Sequence, residues 1–235
     1  MKQKIALSWS GGKDACLALY YLINSEQYEI DHLHTVIGEE TDRVGMHGIQ
    51  RSLIEAQAKS LKIPLKISYL PSDQSNKSYD QVMQEYTGFC KEKGIYTIAF
   101  GDIFLEDLRK YREDKMTEEG MKCIFPLWKK PTKDVINEFL TLGFHTKICA
   151  GDASKIRKEL IGQTITHDLL KNLAEDIDPC GENGEFHTFV YDGPLFQKGI
   201  ETVLKSIQSH FYEYQIEEEK EIKKVKSEFY FAEFE

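Results

Sequence analysis

The 235-residue chain lacks three features that would have settled its class early. No apolar run approaches the roughly 18 residues a membrane-spanning helix needs, so no membrane association is expected. Positive charge is not in excess: 30 Lys and Arg stand against 39 Asp and Glu, a formal net charge of −9. Binding to nucleic-acid phosphates relies on clustered cations, so this balance argues against a nucleic-acid partner and favours a small-molecule substrate. The third absence is C-x-x-C spacing among Cys16, Cys90, Cys123, Cys149 and Cys180. Without it, neither a zinc ribbon nor a persulfide-carrying pair is suggested, and the cysteines read as small buried hydrophobes. The opening "MKQKIALSWSGG" is too short in apolar residues for a secretory signal, which predicts a cytoplasmic location. There is no internal repeat and no low-complexity linker.

What is present is alternation. "KIALSW" reads as a short buried strand and "DACLALYYLIN" as a helix that is apolar nearly all round. "DHLHTVIG" is a second strand, followed by a polar loop to Gly48. Next comes a helix over "QRSLIEAQAKSLK", with Leu53, Ile54, Ala56, Gln57, Ala58 and Leu61 at helical spacing. "IPLKISYL" reads as strand, "SYDQVMQEYTGFCKEKG" as a helix ending at Gly94, and "IYTIAFG" as strand. Strands alternating with helices predict an α/β fold with a doubly wound, mostly parallel sheet. The character then shifts through a charged helix "EDLRKYREDKMTEEG", an extended "MKCIFPLW", a helix "KDVINEFLTLG" and a strand "FHTKICAG". A helix-like "HDLLKNLAED", a turn "DPCGENGE" and an alternating strand "FHTFVY" follow. A soft boundary near Trp128 gives a nucleotide-binding unit over residues 1–128 and a smaller α+β C-terminal unit over 129–235. The final "EEEKEIKKVKSEFYFAEFE" begins as a charge run, read as a solvated face, and its "SEFYFAEF" could add an edge strand.

The stretch "SWSGGKDACL" carries the clearest chemistry. A helix N-terminus offers unpaired N–H groups and the positive end of the macrodipole, so a turn of small residues leading into it accepts phosphate. Gly11 and Gly12 let the backbone come close to an anion, Ser8 and Ser10 can donate hydroxyl hydrogen bonds, Lys13 brings a cation, and Asp14 can hold magnesium directly or through water. The spacing is not that of a Walker A loop. A plain glycine turn with a helix-starting aspartate is the alternative, but the position after the first strand is where open α/β sheets bind ligands.

This turn resembles the PP-loop, or N-type, ATP pyrophosphatases, whose S-G-G-x-D-S signature matches Ser10, Gly11, Gly12, Lys13 and Asp14. Ala15 stands where that family usually has serine, which removes one hydroxyl and leaves a backbone N–H. "FGDIFLEDLRKYRE" from Phe100, "FPLW" at Phe125 and "GENGEFHTFVYDGPLF" from Gly181 narrow the resemblance to the diphthine–ammonia ligase-like branch. His187 departs from that branch's G-G-E-Y-E-T pattern by replacing a carboxylate. Bacterial relatives with "EFHTFV" are associated with cobalamin-related metabolism. The resemblance implies an adenine nucleotide alpha hydrolase-like fold and the use of ATP with Mg2+. A carboxylate, small-molecule or protein, would become an acyl-adenylate with release of pyrophosphate, and ammonia would displace AMP. A nucleotide-binding regulator without turnover, an adenylate met by another nucleophile and a homodimer all stay open.

Eight further positions join the expected site. Gly101 and Asp102 follow a strand at the ligand edge, with a helix cap as the alternative reading. Arg109 lies on the next helix, where Glu113 could make it an ordinary surface pair. His47, in the loop after the second strand, is a nucleotide contact or else a plain exposed histidine. In "GENGEFHTFV", alternation sets Glu185 and His187 on one face and Phe186, Thr188 and Val190 on the other, with Glu182 before the turn. Glu182 and Glu185 are thus candidates to bind ammonia or act as a base, and Glu185, His187 and Thr188 to meet substrate.

Overall fold

The computed structural model describes residues 2–73, 75–218 and 221–235, with side chains outside 213–225. Its first half runs β1 (Gln3–Ser8), α1 (Lys13–Asn24), β2 (Tyr28–Gly38), β3 (Arg43–Val44), β4 (Ile49–Gln50), α2 (Arg51–Leu61), β5 (Leu65–Leu70), α3 (Asn76–Glu92), β6 (Thr97–Ala99), α4 (Glu106–Glu118) and β7 (Lys122–Ile124). β1 pairs in parallel with β2 on one side and β6 on the other, while β5 joins β2 and β7 joins β6. Ile5, Ala6 and Leu7 of β1 are fully buried, as a central strand covered on both faces requires. The chain winds outward from β1 through β2 and β5, then returns to β1's other edge as β6. That reversal opens a crevice at the carboxyl ends of β1 and β6, and both glycine turns lie there.

The second half supplies α5 (Thr132–Thr141), β8 (His145–Asp152), α6 (His167–Lys171), β9 (Phe186–Asp192), β10 (Leu204–Glu218) and β11 (Glu221–Phe234). Its four strands form an antiparallel sheet in the order β10-β11-β8-β9. One hydrophobic core runs through both halves, with Leu7 and Leu17 in the same cluster as Phe139, Phe189 and Phe234. The α/β class with a mostly parallel sheet and an α+β second half is therefore what the structure has.

Three local readings change. "SEFYFAEF" does not form an edge: Phe229–Phe231 pair with β8 while the other side of β11 pairs with β10, so β10 is the edge strand. The side chains of the charge run before it fall outside the described residues up to Val225. The polar loop to Gly48 contains a two-residue ribbon, β3 and β4, and β3 pairs with β2 at Ile37 and Gly38, beyond the end of β1. "HDLLKNLAED" keeps helix only over His167–Lys171, capped by the Thr166 hydroxyl.

Gln57 is the polar exception on the buried face of α2 and is fully inaccessible. Its amide N–H groups donate to the carbonyls of Gly11 (3.0 Å) and Val190 (2.7 Å), and its carbonyl accepts from the Trp9 indole at 2.8 Å. One side chain thus fastens the first turn to β9. Gln57→Leu leaves three buried groups without this partner, and urea unfolding is expected to show a loss of roughly 3 kcal/mol or more. A loss below about 1 kcal/mol would mean those groups find other partners.

Candidate functional site

The chain leaves β1 at Ser8 and turns at Gly11 (φ +81°), a left-handed conformation that glycine reaches without strain. Gly12 must also be small. A Cβ there would sit 3.0 Å from the His47 ring and 3.2 Å from the Thr188 carbonyl oxygen. Val190 N–H donates to the Gly11 carbonyl (2.9 Å), and Lys13 N–H donates to the Thr188 hydroxyl (3.0 Å), so β9 is docked along the turn. At the neighbouring strand end, a Cβ on Gly101 would lie 2.8 Å from the Ala15 backbone nitrogen. Glycine at that position is what lets the two turns touch.

These contacts enclose a cavity of about 720 Å3. Its floor is Ser8, Ser10, Lys13, Asp14 and Ala15; one wall carries Gly101, Asp102 and Arg112, and the opposite wall carries Glu182, His187, Thr188 and His47. Most residues expected from sequence are therefore brought together. Two are not. Arg109 points away, pairing with Glu113 at 2.8 Å and lying over the rings of Phe125 and Trp128. Arg112, three residues on, takes the cavity position and contacts Asp102 at 2.7 Å, with its guanidinium over Phe100. Glu185 lies outside the lining and is 2 % exposed. Its carboxylate accepts from the N–H groups of Asp178 (3.1 Å) and Asn183 (2.9 Å) and from the Asn183 amide (3.1 Å). Together with Asp178, which accepts from the N–H groups of Cys180 and Glu182, it shapes the 178–185 loop that presents Glu182.

Sequence reasoning missed Arg112, Asp178 and Gln57. Gln57 had a signal, being polar at a core position of its helix; the other two look like ordinary charged residues. The strict alternation expected after Gly184 also fails to sort substrate-facing groups. His187 and Thr188 both line the cavity, because it meets the start of β9 edge-on as well as by its face.

The electrostatics are dominated by acids in a small space. The Lys13 ammonium is 2 % exposed and donates to Asp14 at 2.7 Å and to the Cys180 carbonyl. Burial opposes its charge, but Asp14, Cys180 and Glu182 outweigh that and hold it protonated. Burial raises Asp14, and Lys13 only partly offsets it. Burial, then the charge of Asp14, pushes the Glu182 carboxyl up to about 8, with Asp102 and Asp178 adding to the effect and Lys13 opposing it. Asp14 Oδ1 is buried with no hydrogen-bond partner, and Asp102 Oδ2 touches Arg112 without hydrogen-bond alignment. Burial lowers both His47, to about 4, and His187.

A glycine turn at the sheet reversal, a buried lysine and a partnerless Asp14 carboxylate oxygen around one cavity place the protein among α/β proteins with a polar crevice at the carboxyl ends of the strands. Residues 2–123 match the diphthamide synthase N-terminal domain and residues 131–226 the diphthamide synthase C-terminal domain, so the chain belongs to the diphthamide synthase family. It is 24% identical over 222 residues to the diphthine–ammonia ligase of Schizosaccharomyces pombe, a match that covers 86% of this chain but 36% of that protein. It thus spans about a third of that relative's length. The diphthine–ammonia ligases of Rattus norvegicus and Homo sapiens are 25% and 24% identical, with 84% of this chain and 82% of each relative covered. Among solved structures, the U34-tRNA thiolase NcsA of Methanococcus maripaludis overlaps with a TM-score of 0.36 and 19% identity over 60% of this chain and 57% of that one, too loose to argue from. No helix among the described residues is long and apolar enough to cross a membrane.

Two outcomes follow from this geometry. Arg112→Ala should weaken adenine-nucleotide binding about tenfold by calorimetry, whereas Arg109→Ala should change it less than about twofold, since each lost charge contact is worth roughly 1–2 kcal/mol only where the ligand meets it. Equal effects would put α4 in another orientation. Because Glu182 titrates near 8 when folded and near 4.5 as an ordinary glutamate, the folded chain holds a proton the unfolded chain has lost between those values. Stability should then fall as pH rises from about 5 to 8, and Glu182→Gln should flatten that slope. Parallel urea-midpoint curves for the two proteins would remove the assignment.

Proposed function

We propose that this chain is an ATP-dependent amide ligase that forms AMP and pyrophosphate, activating a carboxylate as an acyl-adenylate for attack by ammonia. One observation carries the reading: the glycine turn, its buried Lys13 and the partnerless Asp14 Oδ1 share a single cavity with Glu182 of the loop that leads into β9. Family membership and the activity for which the relatives are named, diphthine–ammonia ligase, support the same reaction class.

The residues divide the work by chemistry. The N–H groups of Asp14 and Ala15 in the first turn of α1 and the Ser8 and Ser10 hydroxyls bind phosphate oxygens, the Lys13 N–H being taken by Thr188; Ser10 Oγ already accepts from Gly12 N–H at 3.3 Å, which leaves its own hydrogen to donate. Lys13 has three N–H donors, of which Asp14 and the Cys180 carbonyl take two, so one remains for the triphosphate. Arg112 adds a second cation beside Asp102. No group of three His, Cys, Asp or Glu able to form a complete metal cage occurs among the described residues. That fits magnesium, which takes one or two carboxylates and completes its shell with phosphates and water. Asp14 and Asp102 would hold it, and it would neutralise charge on the departing pyrophosphate. Glu182, on the far wall, orients the incoming ammonia.

The substrate carboxylate attacks the α-phosphorus, pyrophosphate leaves, and the nitrogen then attacks the acyl carbon as AMP departs. Diphthine and cobalamin-related carboxylates are the first compounds to try. Incubation with ATP, magnesium, ammonium and such a panel should give AMP and pyrophosphate in equal amounts, and Lys13→Ala should slow this about 100- to 1000-fold. Production of ADP, or turnover by Lys13→Ala near the wild-type rate, would sink the reading.

A further inference from the structure

We propose that His47 is the base that receives the proton released when the amine attacks, a role that rests on the acyl-adenylate reading above. The evidence is its tautomer and its setting. His47 Nδ1 lies 3.2 Å from the Thr188 carbonyl oxygen. A carbonyl can only accept, so Nδ1 must carry the hydrogen, and the lone pair of the ring is on Nε2. Among the described residues Nε2 has no hydrogen-bond partner, while the ring lines the cavity that holds Lys13 and Glu182.

The ring is held by two neighbours, and the backbone that carries it is fixed as well. Its Cε1 packs against Gly12, where a Cβ would be only 3.0 Å away. The His187 ring stands beside it with centroids 4.6 Å apart. Behind it, Gly48 turns with φ +64° directly under the Phe231 ring of β11, leaving no room for a Cβ. Arg43 ties down the same ribbon by donating to the Gly48 carbonyl (2.7 Å) and pairing with Glu233 (2.6 Å). A histidine fixed in one tautomer, with one nitrogen bound to backbone and the other open to a reaction cavity, is the arrangement a general base requires.

The step balances without a further reactant. The nitrogen lone pair forms the C–N bond at the acyl carbon, the C–O bond to AMP breaks with its electrons leaving on the phosphate, and one N–H proton moves to His47 Nε2. Glu182 is less suited to this transfer. Burial and Asp14 keep it in the acid form at neutral pH, so it has a proton to give rather than a site to take one. Burial lowers His47 to about 4, with the Thr188 carbonyl opposing that and Lys13 adding to it, so the imidazole is uncharged at neutral pH and is a transient acceptor that takes the proton from the attacking nitrogen and passes it on to solvent.

The test uses ammonia and hydroxylamine in competition for the adenylate, with the member of the carboxylate panel that releases AMP fastest. Hydroxylamine is a strong nucleophile that loses its proton easily, so its reaction depends less on a base. His47→Gln keeps a donor for the Thr188 carbonyl, and in it the ratio of amide to hydroxamate should fall about 100-fold. In His47→Ala, added imidazole should restore part of that ratio. The nitrogen NMR spectrum of the wild-type protein with AMP, which needs no acyl substrate, should show Nδ1 of His47 protonated and Nε2 bare. An unchanged ratio in the variants, or the opposite tautomer, overturns the role of His47 while leaving the ligase reading intact. If wild-type protein gives neither AMP nor hydroxamate with any carboxylate, the adenylate reading falls and takes this proposal with it.

Discussion

The Gly11 carbonyl is the point on which the molecule is organised. It accepts from Gln57 of α2 and from Val190 of β9, one donor from each half of the chain. A buried carbonyl needs at least one partner, and two directed donors leave its turn little freedom. With the turn set, the start of α1 points into the crevice between β1 and β6, and β9 can approach closely enough for the Thr188 hydroxyl to take the Lys13 N–H. The cavity is the space this docking leaves. Neither sheet makes it alone.

That enclosure also sets the charge. Asp14, Asp102 and Glu182 gather around Lys13 and Arg112, and both cations are already engaged with acids. Desolvation disfavours the charged forms of Glu182 and Asp14, which is why Glu182 holds its proton and Asp14 is raised. A ligand bringing phosphates and a divalent ion would relieve a strain that the protein alone carries. The imidazole wall is different in kind. His47 and His187 are neutral, close together and next to the glycine turn, so the cavity has a charged side and an uncharged imidazole side.

Much of this was legible beforehand, and for definite reasons. Period-2 and period-3.6 patterning located the strands and helices of the first half, and Ser10 to Asp14 marked the glycine turn between β1 and α1 by residue type and position. Errors arose where local pattern was ambiguous. Arg109 and Arg112 are the same residue type on one helix, and only the docking of α4 decides which reaches Asp102. Glu182 and Glu185 sit three apart in one loop, yet one faces the cavity and the other caps backbone N–H groups inside it. The "SEFYFAEF" strand looked terminal in sequence and is internal in space, because the long hairpin folds back and places β10 outside it.

The sequence by itself determined the elements, the α/β class and the turn that starts α1, since these follow from local hydrogen bonding, side-chain periodicity and the conformational freedom of glycine. Tertiary structure decided which charged groups share a cavity and which tautomer His47 holds. Those depend on partners far along the chain, Thr188 for His47 and Asp102 for Arg112, and the Cys180 carbonyl for Lys13, and no spacing rule within a single segment encodes such distances.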